Sequence, residues 1–358
     1  MMRILNMFPR PDRATSTHRS RPRTTRRLRP VWVLAGLLAA TLLPVTLTPT
    51  LTPNAAQAAS VTTGHTGPWG TMSNGCKLGQ RGLPGCGTYL GAGIGANTDP
   101  TQFETTMGKR ISVHRVYWSA GQVESAMSSA RTDLARGRLP WMSFKMPYSW
   151  SDMAAGRGDA WARSLATRLN TLPGPVWVAF HHEPEGDGDI TKWTAMQRRL
   201  APIVRANATN VGFSIILTGW DELYGDPKYR LSRIWPENTK IDIAGFDVYN
   251  RYLVTSNGTT MTTPPDLDER YFQPLSEWAR SKGVRWGLAE TGYSHPASER
   301  LPNWIEQTYG EVRAAGGVAM AYFDSTLHSI ARWDLSTSSK QKDFARALRL
   351  APNLPLLR

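Results

Sequence analysis

Val176-Trp177-Val178-Ala179-Phe180-His181-His182-Glu183-Pro184-Glu185 is a five-residue apolar run that stops abruptly in imidazoles and carboxyls. A continuous rather than alternating apolar run is what a parallel strand shielded on both faces requires. A second segment of the same form, Trp286-Gly287-Leu288-Ala289-Glu290-Thr291-Gly292, places its glutamate 107 residues after Glu183. Working outward from these two, short apolar runs occur at Thr88–Ile94, Ile111–Trp118, Leu139–Met146, Val176–Phe180, Val211–Leu217, Ile241–Val248, Val284–Ala289 and Val318–Phe323. There are eight of them.

Helix patterns lie between the runs. Asp189 is placed to cap a helix whose apolar positions Ile190, Trp193, Leu200 and Val204 follow the 3.6-residue period, and Val123, Met127, Ala130 and Leu134 give another. A third runs from about Leu301 through Trp304, Ile305 and Val312, and a last from Lys342 through Phe344 and Leu348. Strand and helix thus alternate, which allows a closed barrel or an open doubly wound sheet. The open sheet usually carries a phosphate-binding glycine loop after its first strand. Gly91-Ala92-Gly93-Ile94-Gly95 misses the GxGxxG spacing, and no acidic residue closes a second strand about 20 residues on, so the glycines read as a tight turn. The expected fold is α/β, a single-domain (β/α)8 TIM barrel over residues 88–358.

The first 58 residues read as a signal peptide. An arginine-rich stretch ends at Arg29, the apolar run Val31–Leu43 follows, and Ala56-Gln57-Ala58 offers a cleavage site. Pro44 interrupts the run, which falls short of the roughly 20 residues a membrane span needs. Nine leader arginines against Asp12 supply +8 of the formal +14, leaving +6 on the exported chain. No basic run with interleaved aromatics remains there, which excludes nucleic acid as an expected partner. Secretion, no stable membrane association and a monomer are the expectations. Residues 59–87 read as a strap into the barrel, with Cys76 and Cys86, the two cysteines of the chain, expected to form a local disulfide.

In such a barrel the chemistry sits where strands end, at the C-terminal face. Glu183 ends the fourth run and Glu290 the seventh, so their strands stand three places apart on an eight-strand ring. That places two carboxyls across one mouth. Glycoside hydrolysis needs such a pair: one carboxylic acid protonates the leaving oxygen while one carboxylate attacks the anomeric carbon, about 5 to 5.5 Å away when configuration is retained. Glu185 is the rival for the acid position and reads as a loop acid.

These endings resemble a known group. His182-Glu183-Pro184, Phe246-Asp247-Val248-Tyr249, Glu290-Thr291-Gly292 and Arg115 within the second run look like clan A of the glycoside hydrolases. The histidine before the acid/base glutamate, where the clan usually has asparagine, is most similar to family 26, whose members are mainly endo-β-mannanases with some glucanases and xylanases. The resemblance implies a retaining enzyme with Glu183 as acid/base and Glu290 as nucleophile. It implies that His182 contacts the sugar 2-hydroxyl or orients Glu183, that Tyr249 hydrogen-bonds Glu290, and that Arg115 or its neighbour His114 steadies that carboxylate. Gly186-Asp187-Gly188-Asp189 replaces the tryptophan-rich segment common in family 26, and Tyr322-Phe323-Asp324 ends the eighth run where the clan often has tryptophan.

Sugar rings present apolar faces that pack on aromatic planes. Among the strand-end aromatics Trp118, Trp141, Tyr148, Trp150, Trp220, Tyr249, Tyr252 and Tyr293, the first choices for a cleft are Trp118, Trp220 and Tyr249, with Asn250, Asp221 and His295 as polar partners. Trp333 is placed either to fold back over the mouth or to pack. Glu185, Asp187 and Asp189 lack the twelve-residue calcium loop, and His181, His182 and Glu185 lack a further matching ligand for zinc, so neither metal nor cofactor is expected. The resemblance implies a β-linked polysaccharide as the partner, β-1,4-mannan first. The alternatives are another β-glycanase or a non-catalytic carbohydrate-binding barrel. The loop Tyr252–Asp268 is expected to form a lip of the cleft.

Overall fold

The computed structural model describes residues 65–357; the segment read as a signal peptide lies outside them. Eight parallel strands close into a barrel: β1 Tyr89–Ile94, β2 Val113–Trp118, β3 Leu139–Phe144, β4 Val176–Phe180, β5 Val211–Leu217, β6 Ile243–Asp247, β7 Arg285–Thr291 and β8 Ala319–Asp324. Each strand pairs with its neighbours in sequence, and β8 returns to β1 through six registered residues, Ala319↔Tyr89 to Asp324↔Ile94. Helices including Val123–Ala135, Asp159–Leu169, Ile190–Asn207 and Trp304–Ala314 lie between the strands, and Ser338–Leu350 follows β8. Asp189 caps the Ile190–Asn207 helix by accepting from Thr191 N. Gly91 sits within β1, where a Cβ would collide with the Val113 carbonyl. The glycines there serve close strand packing rather than the expected turn; only Gly95, at φ +49°, adopts a turn conformation.

Side chains alternate along each strand, and the two faces go to two different cores. Outward residues such as Val116, Met142, Val178, Phe213 and Leu288 pack under the helices. Inward residues, Tyr89, Leu139, Trp141, Trp177 and Ile243 near the strand starts and Ile216 further along β5, fill the barrel together with Met72, Cys76 and Leu78 of the preceding segment. That segment pairs Gly70–Thr71 with Lys77–Leu78, is closed by a Cys76–Cys86 disulfide and plugs the N-terminal mouth. It is latched by Tyr89 Oη donating to Gly82 O at 2.9 Å and Trp177 Nε1 donating to Arg81 O at 3.0 Å. After β5 the helical layer thins to three short pieces, Trp220–Tyr224, the 3-10 turn Pro227–Tyr229 and Leu231–Ile234. Among the described residues no helix is long and apolar enough to cross a membrane.

Candidate active site

The backbone is bent where β4 ends. His181 (φ +53°) and Glu183 (φ +46°) both take the left-handed conformation, which costs a bulky L-residue on the order of 1–3 kcal/mol and persists only where the surroundings dictate it. They do so here. His181 N donates to Phe144 O of β3 at 2.9 Å and Glu183 N to Ile216 O of β5 at 3.0 Å, while Trp193 Nε1 and Gln197 Nε2 hold the carbonyls of His181 and Phe180. The result brings the Glu183 carboxyl to the charges of Glu290 and Arg115 and to the side chain of Asp247.

Glu290 arrives there by a different device. Ala289 faces the barrel interior, so strict alternation would send Glu290 outward. The register of β7 slips against both neighbours at this point, between Leu288 and Glu290 on the β6 side and between Leu288 and Thr291 on the β8 side. Such a bulge re-aims a side chain. Consequently Glu290 Oε1 accepts from Tyr117 Oη at 2.6 Å, Oε2 accepts from Tyr249 Oη at 2.7 Å, and Arg115 Nη2 stands 3.7 Å from Oε1. Burial and the carboxylate charge keep both phenols well above their usual range, so they remain donors.

The opposite carboxyls are held in the other state. Burial, and then the charge of Glu290, push Glu183 up to about 8 against an ordinary 4.5. Asp247 is also pushed well above the carboxylate range, by burial and then by Glu290 and Glu183. Neither Asp247 oxygen accepts an N–H or O–H; the neighbour in reach is Glu183, and two carboxyls can bond only through a proton that one of them keeps. Burial, followed by Arg115, Lys145 and His181, holds His182 well below its ordinary value and therefore neutral. A cavity of about 470 Å³ opens on this group, walled by Glu183, Glu185, Asp247, Tyr249, Trp220 and Met261 among others. Its outer wall is the hairpin Thr255–Ser256/Thr259–Thr260, turned by Asn257-Gly258, both left-handed as a two-residue hairpin requires. The loop expected as a lip thus contributes to the cavity wall.

The structure gathers Glu183, Glu290, His182, Arg115 and Tyr249 into one cluster and puts Trp220, 43% exposed, on the cavity wall. It does not bring the other candidates there. His114 occupies an outward position of β2 and bonds Asp133 of the neighbouring helix at 2.8 Å, so Arg115 alone of the two faces Glu290. Trp118, outward for the same reason, is buried in the strand–helix core. Asn250 is 1% exposed and accepts from Tyr252 N, shaping the chain behind the rim. Tyr293 is buried against Trp304, at 4.6 Å between rings, with its hydroxyl toward Asp343. Trp333 is buried and packs against Tyr249, with ring centres 5.0 Å apart and planes tilted by 35°. Tyr117 and Asp247 were not among the candidates; both follow from counting two residues on from Arg115 in β2 and from Gly245 in β6 along the inward face. The acids considered for calcium separate: Asp187 bonds His181 at 3.0 Å, Asp189 caps its helix and Glu185 faces Glu222. Among the described residues no group of three or more His, Cys, Asp or Glu could hold a metal.

Neither a protein-family profile nor a curated protein matches the sequence. Solved structures do. A GH26 β-mannanase from Bacteroides ovatus aligns over 74% of this chain and 88% of its own, at TM-score 0.50 and 16% identity. The endoglucanase Cel5A of Thermotoga maritima aligns over 73% and 96%, at TM-score 0.53 and 15% identity, and a GH5-4 broad-specificity endoglucanase from Clostridum cellulovorans over 72% and 93%, at 0.51 and 11%. The likeness is one of fold. These neighbours are clan A glycoside hydrolase barrels, and the chain has their architecture of eight parallel strands.

Proposed function

We propose that this chain is a retaining β-glycanase, exported from the cell, with β-1,4-mannan as its first substrate. The observation that carries the reading is the split between two facing carboxyls: Glu290 is surrounded by two hydroxyl donors and a guanidinium, a set that suits a carboxylate, while Glu183 is enclosed and keeps its proton to about pH 8. In this mechanism Glu290 attacks the anomeric carbon as Glu183 gives its proton to the departing oxygen, leaving a glycosyl-enzyme ester. Glu183, now a carboxylate, then takes a proton from water, whose oxygen displaces Glu290 and restores both groups. Because a general acid faces the leaving group, the cavity walled by Glu183 seats the departing part of the chain, with Trp220 and Tyr249 as sugar platforms.

Mannan is put first on His182 before the acid/base and on the mannanase among the fold neighbours. A glucan is the second reading, since Cel5A was solved with both cellobiose and mannotriose. Incubating the purified exported chain with mannan, β-glucans and xylan, with product anomers followed by NMR, tests both. Release of the β-anomer first supports retention. Release of the α-anomer overturns the assignment of Glu290, and no hydrolysis of any of them overturns the glycanase reading.

A further inference from the structure

Close to the exit of β7 a lysine occupies a place that burial and helix electrostatics both disfavour. Lys340 is fully buried, at 0% exposure, in the first turn of the helix Ser338–Leu350. A cation gains nothing from the positive end of a helix dipole, and an ammonium withdrawn from water needs other partners. It finds four. Lys340 Nζ donates to Tyr293 O at 2.6 Å, Trp333 O at 3.1 Å, Arg332 O at 3.2 Å and Asp334 O at 3.3 Å, so three N–H groups are shared among four carbonyls. Burial lowers this ammonium to about 7 against an ordinary 10.5; the charges of Asp334 and Asp324 oppose the fall and Arg332 adds to it.

The four carbonyls belong to two separate segments. Tyr293 stands three residues after Glu290, just past β7, whereas Arg332, Trp333 and Asp334 lie on the loop that follows β8. From that loop a path of contacts runs back to the nucleophile: the Trp333 ring packs 5.0 Å from the Tyr249 ring, and Tyr249 Oη donates to Glu290 Oε2 at 2.7 Å. Gly292 leaves room for this packing, since a Cβ there would meet Trp333 Cβ at 3.4 Å and Tyr249 Cδ1 at 3.5 Å. Tyr322 Oη fastens the Trp333 carbonyl to β8 at 2.7 Å, and His295 Nε2 reaches the Asp334 carbonyl at 3.1 Å, one residue further along. Lys340 joins the Trp333 carbonyl to the β7 exit itself. We propose that Lys340 pins the loop after β8 to the exit of β7 and thereby holds Trp333 against Tyr249 and the Tyr249 hydroxyl on Glu290. The inference rests on Glu290 being the nucleophile, and it makes Lys340 a positioning residue.

The test is a double-mutant cycle at about pH 6, where the ammonium keeps its proton, on mannohexaose, or on cellohexaose if the parent cleaves that instead. Values of kcat and KM are taken per folded molecule for the parent, Lys340→Met, Tyr249→Phe and the double variant. Lys340→Met lowers kcat on the order of 10-fold and leaves KM within about two-fold of the parent's. Tyr249→Phe lowers kcat by about 10- to 100-fold. The double variant loses no more than Tyr249→Phe alone, because the placement of a hydroxyl no longer matters once the hydroxyl is gone. Losses that multiply, a parent-like kcat in Lys340→Met, or a parent-like kcat in Tyr249→Phe each overturn the proposal; a purely structural lysine would lower the thermal midpoint and leave kcat of the folded molecules unmoved. Lys340→Gln keeps an amide N–H pair for the carbonyls and carries the same cycle if the methionine variant does not fold, with a smaller loss and the same failure to multiply. Glu290→Gln in the same series separates the premise. If it keeps a kcat near the parent's, the nucleophile reading itself fails, whereas if it loses turnover and the cycle multiplies, the role of Lys340 alone is removed.

Discussion

The two ends of this barrel solve opposite problems with the same strands. Where the strands begin, Trp141 and Trp177 meet edge to face at 4.9 Å, Leu78 and Met72 close the mouth, and each indole N–H has a partner, Ser214 Oγ for Trp141 and Arg81 O for Trp177. Where the strands finish, Arg115, Glu183, Asp247 and Glu290 crowd together. Nε of Arg115 and Nδ1 of His182 have no hydrogen-bond partner from the protein. Unpaired buried polar groups cost about 1–3 kcal/mol each. The first end therefore carries stability and the second spends it on groups left ready for a ligand, a division that mutations can break or sharpen.

Glu290→Gln gives the largest effect expected. Loss of the nucleophile lowers kcat by on the order of 10⁴-fold or more while the thermal midpoint moves little, and a variant with near-parent kcat removes Glu290 from that role. Trp177→Ala does the reverse at the other end. It costs about 3–5 kcal/mol in chemical denaturation and leaves kcat/KM of the folded fraction near the parent's; a loss of turnover without a loss of stability would merge the two ends into one.

Glu183 links stability to pH. In the unfolded chain a glutamate ionises near 4.5, whereas the folded protein keeps this proton to about 8. Between those values the unfolded chain has released a proton that the folded chain still binds, so rising pH favours unfolding. Glu183→Gln removes that dependence. It should stabilise the fold by a few kcal/mol at most near pH 8 and not at all near pH 4, while ending turnover of unactivated substrates; equal stability changes at both pH values in urea titrations would refute the raised proton affinity. The smallest effect is Tyr117→Phe, which withdraws one of two hydroxyl donors from Glu290. About a 10- to 100-fold loss in kcat is expected, and an unchanged kcat would reduce Tyr117 to packing.

The closed end was readable from pattern. The eight apolar runs fall within two residues of the strands at every boundary, because burial on both faces leaves the same imprint on composition wherever it occurs. The open end was readable only in part. Glu183 and Glu290 came from their place at strand ends and Tyr249 from following its apolar run, whereas Arg115, and the role of Tyr249 beside Glu290, came from the resemblance to clan A. His114 and Trp118 were misplaced because a continuous apolar run hides which of two neighbours faces inward; only the period of two, started from Val113 at the interior, puts Arg115 and Tyr117 on one side and those two on the other.

The slip in β7 makes the geometry of attack a matter of counting. Were one residue deleted from Leu288–Thr291, the strand could still pair and the barrel could still close, but the carboxyl now meeting two phenols would exchange places with a methyl group or a hydroxyl. On the proposed reading, a length change at this spot would remove the attacking carboxyl while the barrel stays closed, so loss of cleavage and loss of fold are separable by a single codon.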